Sequence, residues 1–166
     1  MKYSRILTQN HPVSLIKPEC LINFNDLNVT EGFDEIVDLF ADNIIVLDLD
    51  CVELKNALTE NRNKRSSMDC TFAIVVEGTV DHEMLMVELR YNYISMRNLS
   101  GKKLIEKVSG STLALGDSTT INGKSIFIFK TDLKEQAKSR LFRMLPRVPS
   151  DYIIMDLYEL KAQYFS

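Results

Sequence analysis

Two apolar runs joined by a short polar segment constrain the fold of this chain more than any other feature. Residues 70–77 and 84–91 are rich in β-branched and long apolar side chains, and residues 78–83 have the composition of a turn. The pattern predicts a β-hairpin. Because both runs are apolar almost throughout, the two strands are expected inside a sheet whose faces are both covered.

Three charged residues interrupt this apolar hairpin. Asp69 opens the first strand, and Glu88 and Arg90 lie two residues apart in the second. Side chains alternate along a strand, so Glu88 and Arg90 are expected on the face of Met86, with the intervening apolar residues on the opposite face. A buried charge without a partner is costly. The partners could be a divalent metal ion, a facing carboxylate, or the charged residues themselves.

The other predicted elements complete an α/β fold. After the N-terminal segment their order is helix, strand, helix, hairpin, long helix, strand, helix and strand, at residues 30–43, 44–48, 51–60, 70–91, 99–115, 125–130, 132–145 and 152–156. This order indicates a mixed central sheet with helices on both faces. A polar, basic loop is expected at residues 61–67.

The length of the chain suits a single domain covering residues 1–166. Residues 1–28, which contain Pro12 and Pro18, are expected to form an N-terminal arm or an edge hairpin. The three cysteines show no Cys-x-x-Cys spacing and lie beside apolar residues, which favours buried structural thiols.

The two histidines do not suggest a metal site. His11 and His82 are far apart in sequence and no pair of thiols lies near either, which argues against a zinc site. His82 is expected in the turn of the hairpin. No stretch approaches the roughly 18 apolar residues of a membrane span, and the N-terminus lacks the apolar core of a signal peptide. We therefore expect a cytoplasmic protein without a membrane partner.

Charge is distributed unevenly along the chain. Residues 1–60 contain four Lys/Arg against eleven Asp/Glu, whereas residues 97–147 contain eleven Lys/Arg against four Asp/Glu. The basic segment suits a surface that faces phosphate groups, although a solvated helix face would have the same composition. The acidic N-terminal region suits contact with a basic protein partner.

The charged residues of the hairpin resemble the motif of the PD-(D/E)XK, or restriction-endonuclease-like, superfamily. The matching segments are Arg65-Ser-Ser-Met-Asp69-Cys-Thr-Phe and Met-Val-Glu88-Leu-Arg90. The family core is a leading helix, a three-strand meander whose second and third strands carry the motif, a helix and a further strand. The resemblance covers residues 32–130 and implies a restriction-endonuclease-like fold.

The resemblance also implies a site and an activity. Asp69 and Glu88 would bind Mg²⁺, and Glu35 on the leading helix would match an additional ligand that some members supply. Arg90 would take the place of the catalytic lysine. The implied activity is metal-dependent hydrolysis of phosphodiester bonds in DNA or RNA. Arginine departs from the family pattern, because its wide planar fork binds phosphate well but positions water poorly.

This departure leaves a second hypothesis open: a catalytically inactive nuclease-like domain that serves as a protein-interaction, regulatory or inhibitory module. The two hypotheses predict different geometries. A site in which Asp69 and Glu88 are open to solvent favours the enzyme, whereas an Arg90 side chain closed on Glu88 inside the sheet favours the inactive domain. In an unrelated α/β fold with a chance motif, the two carboxylates would lie far apart or on opposite faces.

Overall fold

The computed structural model describes residues 2–34, 39–76, 78 and 81–166. In these residues six strands form one mixed sheet: β1 (Leu21–Asn23), β2 (Ile45–Asp48), β3 (Cys70–Val75), β4 (His82–Arg90), β5 (Ile121–Phe129) and β6 (Tyr152–Met155). The α-helices are α1 (Arg5–Gln9), α2 (Pro12–Ile16), α3 (Phe24–Thr30), α4 (Leu49–Thr59), α5 (Gly101–Leu115), α6 (Lys134–Arg143) and α7 (Leu157–Leu160).

The strands follow one another across the sheet in the order of the sequence. Each of the pairs from β1 to β4 is antiparallel, whereas β5 pairs in parallel with β4 and β6 in parallel with β5. A parallel pair needs a crossover connection, and α5 and α6 provide the two crossovers. The predicted α/β class and mixed central sheet are therefore confirmed.

Helices cover both faces of the sheet, as predicted. Leu85, Val87 and Leu89 belong to one apolar cluster, which also contains residues of α3 and α7. Met86 belongs to the other cluster, together with residues of α4, α5 and α6. The alternation along β4 therefore separates two cores, and the face of Met86 packs against α4, α5 and α6.

The predicted hairpin and long helix are confirmed. β3 and β4 pair from Cys70 opposite Val87 to Val75 opposite His82, so His82 begins a strand and the prediction that it lies in the turn is wrong. In α5 the Ser100 hydroxyl accepts a hydrogen bond from the helix N-terminus. The helix stops at Gly116, whose φ of 82° favours glycine.

The predicted helix at residues 30–43 is wrong in the residues that the structure describes. The helix in this region is α3, which begins after the cap residue Asn23 and ends at Thr30. Gly32, with φ of 96°, turns the chain away from the helical path. The apolar spacing that suggested a helix includes Phe33 and Phe40, which pack in the core without belonging to one.

The N-terminal segment, predicted as an arm or an edge hairpin, packs on the sheet through buried residues and supplies the edge strand β1. Tyr3 is buried, and its hydroxyl donates to the Ile45 carbonyl at 2.8 Å and accepts from the Ile45 N–H at 2.9 Å. The buried Thr8 hydroxyl accepts a hydrogen bond from the Ala73 N–H. β1 is an edge strand that pairs with β2. The two strands are not adjacent in sequence, because α3 and the residues up to 44 lie between them.

The cysteines differ from the prediction of three buried thiols. Cys20 and Cys51 form a disulfide, and Cys70 is a buried free thiol. The bonded residues are 31 positions apart, so their spacing does not reveal the pair. Among the described helices, none has the length and apolar character needed to cross a membrane.

Candidate functional site

The three charged residues of the hairpin converge on the face of the sheet that α5 covers. Asp69 directly precedes β3, and its Oδ2 accepts a hydrogen bond of 2.6 Å from the N–H of Leu89 on β4. Glu88 and Arg90 lie on β4, with Glu88 Oε1 2.9 Å from Arg90 Nε. Asp69 and Glu88 are therefore neither far apart nor on opposite faces, as they would be if the motif had arisen by chance.

Lys107 joins this cluster from the middle of α5. Its Nζ lies 2.8 Å from Glu88 Oε1, 2.9 Å from Glu88 Oε2 and 3.8 Å from Asp69 Oδ1. The sequence places several lysines around this helix, and nothing in their spacing distinguishes Lys107 from its neighbours. Only the position of α5 on the sheet identifies it as the residue that links both carboxylates.

Arg90 is held from two sides. Besides its ion pair with Glu88, its Nη1 donates a 2.7 Å hydrogen bond to the Tyr93 hydroxyl, and its guanidinium lies 5.4 Å from the centre of the Tyr93 ring. The Nε–H is not aligned with Glu88 and has no hydrogen-bond acceptor among the described residues. Arg90 is thus closed on Glu88, which is the geometry expected of an inactive domain, and it retains one unused buried donor.

The cluster is largely removed from solvent. The side chains of Glu88 and Asp69 are 3% and 8% exposed, whereas Arg90 is 13% and Lys107 24% exposed. The lysine is therefore the most exposed member, and the two carboxylates are not open to solvent as the enzyme hypothesis expects. The formal charges of the two acids and the two bases balance.

Burial is the main influence on the acidity of the two carboxyl groups. Burial and then the negative charge of Asp69 raise the pKa of Glu88 to about 7, although Arg90 and Lys107 lower it. Burial likewise raises the pKa of Asp69, against the opposing effects of the Lys107 ammonium and the Leu89 N–H. The two cations therefore do not fully compensate the cost of burying two negative charges.

The raised pKa of Glu88 makes the stability of the fold depend on pH. The ordinary pKa is 4.5, and the folded value is about 7. Between them the folded state keeps a proton that the unfolded state loses, so the free energy of unfolding should fall by about 3 kcal/mol as pH rises through this range. Urea denaturation at several pH values measures this fall. Glu88→Gln should remove most of it, and an unchanged slope would contradict the assignment.

Glu31, directly after α3, is electrostatically coupled to the site. Glu35, the predicted additional metal ligand, lies outside the described residues. Glu31 follows the last residue of α3, and burial followed by the charge of Asp69 raises its pKa. Glu31 therefore lies within electrostatic reach of Asp69. In the part of the chain that the structure describes, no three His, Cys, Asp or Glu side chains are grouped to hold a metal ion.

Two carboxylates are nevertheless enough protein ligands to bind a magnesium ion. In proteins Mg²⁺ is often held by one or two carboxylates, with water and substrate phosphate completing its six oxygen ligands. Asp69 and Glu88 supply such hard oxygen atoms, and both oxygens of Glu88 already lie within 3 Å of a cation, the Lys107 ammonium. The residues present therefore fit a site with two protein ligands.

The side chains of the cluster are compatible with three kinds of chemistry. Two buried carboxylates beside an ammonium and a guanidinium can hold a divalent cation, bind a phosphate group or neutralise one another. Comparison of the chain with protein-family models, with curated proteins and with solved structures found no match in any of the three.

Proposed function

We propose that the chain is a nuclease-like domain of restriction-endonuclease-like fold that hydrolyses phosphodiester bonds of nucleic acid with the help of Mg²⁺. Asp69 and Glu88 are the proposed metal ligands, and Lys107 is the proposed catalytic lysine. The observation that carries the proposal is the position of the Lys107 ammonium, 2.8 Å from Glu88 and 3.8 Å from Asp69. It supplies from α5 the compact cation that the motif on β4 lacks.

The order of the elements supports the proposed fold. α3 leads into β2, and after α4 the antiparallel strands β3 and β4 follow, with Asp69 directly before β3 and Glu88 on β4. α5 then crosses over to β5, which pairs in parallel with β4. Apart from α4, which lies between β2 and β3, this is the order of helix, three strands, helix and strand that the resemblance implies.

The proposed roles follow from the chemistry of the side chains. A bound magnesium ion would offset charge on the phosphate oxygens and favour ionisation of a water molecule. Lys107, as a compact ammonium, would orient the attacking water or stabilise the negative charge that develops on phosphorus-bound oxygen. The Arg90 guanidinium, paired with Glu88 at 2.9 Å, would hold that carboxylate in place and add positive charge beside the phosphate.

A second candidate function is an inactive domain of the same fold that binds a protein partner. The observation in its favour is the ion pair between Arg90 and Glu88, which is buried and closed. In this case the four charges form a neutral network with a structural role, and the acidic residues 1–60 would provide the surface for a basic partner.

A cleavage assay separates the two candidates. Wild type should degrade plasmid DNA, single-stranded DNA or RNA with Mg²⁺ or Mn²⁺, and excess chelator should stop the reaction. Lys107→Met should lower the rate by about 10²- to 10³-fold, because it removes a cation aimed at the developing charge. Lys103→Met is the matched control on the same helix and should retain the wild-type rate.

Titration of Mn²⁺ tests the metal site without relying on activity. Binding is expected to wild type and to be lost in the Asp69→Asn/Glu88→Gln double variant. If wild type neither binds Mn²⁺ nor cleaves any of the three substrates, the inactive domain is the correct reading.

A further inference from the structure

A cleft with basic walls lies between α6 and a short 3₁₀ turn at Met96–Asn98. Its volume is about 590 Å³, and it is lined by Met96, Glu135, Gln136, Ser139, Arg140 and Arg143. The residues from α6 lie on one flank of that helix. The opposite flank, with Lys138 and the exposed Phe142, borders β6 instead.

The polar groups in the cleft are mostly hydrogen-bond donors. Arg140 and Arg143 form no ion pair with any described carboxylate, and Arg143 instead contacts the backbone and hydroxyl of Ser139. Glu135, the acid in the lining, accepts a 2.9 Å hydrogen bond from Lys138. Two guanidinium groups, an amide and a hydroxyl therefore face a space with little opposing negative charge, an arrangement that suits phosphate oxygens.

The cleft lies on the same face of the sheet as the carboxylate cluster. α6 packs through Ala137 in the apolar cluster that contains Met86, and Glu88 and Arg90 project on that face. Arg90 is bonded to Tyr93, and three residues along the chain Met96 forms a wall of the cleft. Three residues span at most about 11 Å, so Met96 lies within about 11 Å of Tyr93, which contacts Arg90. This distance corresponds to a few nucleotides of a strand.

We infer that this cleft binds the sugar-phosphate backbone of the nucleic acid on which the carboxylate site acts. The inference rests on the proposed function and deepens it, because it assigns the surface that positions the substrate strand. Arginine forks match phosphate oxygens in a bidentate geometry, and backbone contacts position a strand without reading its sequence. A protein partner fits the lining less well, since Met96 is its single apolar side chain and interface cores are rich in apolar and aromatic groups.

Fluorescence anisotropy of short labelled oligonucleotides tests the assignment. Single-stranded and duplex DNA and the corresponding RNA are titrated with full-length protein in excess chelator, so that binding is measured without cleavage. Arg140→Gln/Arg143→Gln should weaken binding about tenfold at low salt and lower the slope of log K against log salt by about 1.4 to 1.8. Lys2→Gln/Lys124→Gln removes the same charge from exposed positions elsewhere and should leave affinity close to wild type.

The outcomes separate this inference from the proposed function. Affinity that depends on Arg140 and Arg143 supports the cleft even if wild type cleaves nothing, in which case the proposed hydrolysis fails alone. Cleavage by wild type with equal affinity in both double variants overturns the cleft and leaves the hydrolase proposal standing. Absence of binding by wild type to every oligonucleotide also overturns the inference, as does equal loss in the two double variants.

Discussion

Replacing Glu88 by alanine is expected to lower the free energy of unfolding by about 3 to 5 kcal/mol. Arg90 and Lys107 both lie within 3 Å of this carboxylate, and both are largely buried. Without Glu88 the two cations lose their shared counter-charge in a largely buried site, and Asp69 remains as a weaker counter-charge, 3.8 Å from Lys107. The loss of stability therefore comes from leaving the buried charges of Arg90 and Lys107 uncompensated. This loss is larger than the stabilisation that their ion pairs with Glu88 contribute.

Urea denaturation of two further variants makes this test specific. Glu106→Ala removes an exposed carboxylate whose pair with Lys102 is 3.7 Å long, and it should change stability by less than about 0.5 kcal/mol. Glu88→Gln keeps the size and an oxygen acceptor and should cost less than Glu88→Ala. If Glu88→Ala is as stable as Glu106→Ala, the cluster is hydrated and its charges do not depend on one another.

Replacing Gly110 by alanine is expected to cost about 3 kcal/mol, although alanine normally stabilises a helix interior by about 1 kcal/mol relative to glycine. A Cβ atom at this position of α5 would lie 1.8 Å from the backbone oxygen of Ser66 and 3.0 Å from its carbonyl carbon. The loop at residues 61–67 would have to move to avoid this overlap.

That loop has little freedom to move. The fully buried carboxylate of Glu53 accepts a 2.7 Å hydrogen bond from the Arg65 N–H and also binds the Arg62 guanidinium. At the other end, the Met68 N–H donates to the Ser111 hydroxyl at 2.7 Å. Displacing the loop would therefore break buried hydrogen bonds and shift the chain directly before Asp69.

Ser109→Ala is the control for this prediction, because Ser109 is an exposed residue on the same helix. It should stabilise the protein by a few tenths of a kcal/mol, as expected from helix propensity alone. Thermal or urea unfolding of both variants gives the comparison. Equal stability of Gly110→Ala and Ser109→Ala would mean that the loop adapts at little cost.

Elements with a local signal could be predicted from the sequence. The apolar runs of β3 and β4, the apolar spacing of α5 and its end at Gly116 are all readable within short windows of sequence. The helix expected at residues 30–43 was wrong because Gly32 ends the helical path, a choice of backbone conformation that apolar spacing does not reveal. The helix expected at residues 51–60 begins two residues earlier, at Leu49, because Asp48 caps α4.

The sequence by itself determined that Glu88 and Arg90 share one face of β4, because alternation of side chains is a property of any single strand. It also determined that Asp69 lies directly before the neighbouring strand. Only the tertiary structure decided which groups neutralise these charges. Lys107 reaches Glu88 because α5 lies across the sheet in one register, set by contacts such as that of Gly110 with Ser66, and such long-range packing leaves no local pattern in the sequence.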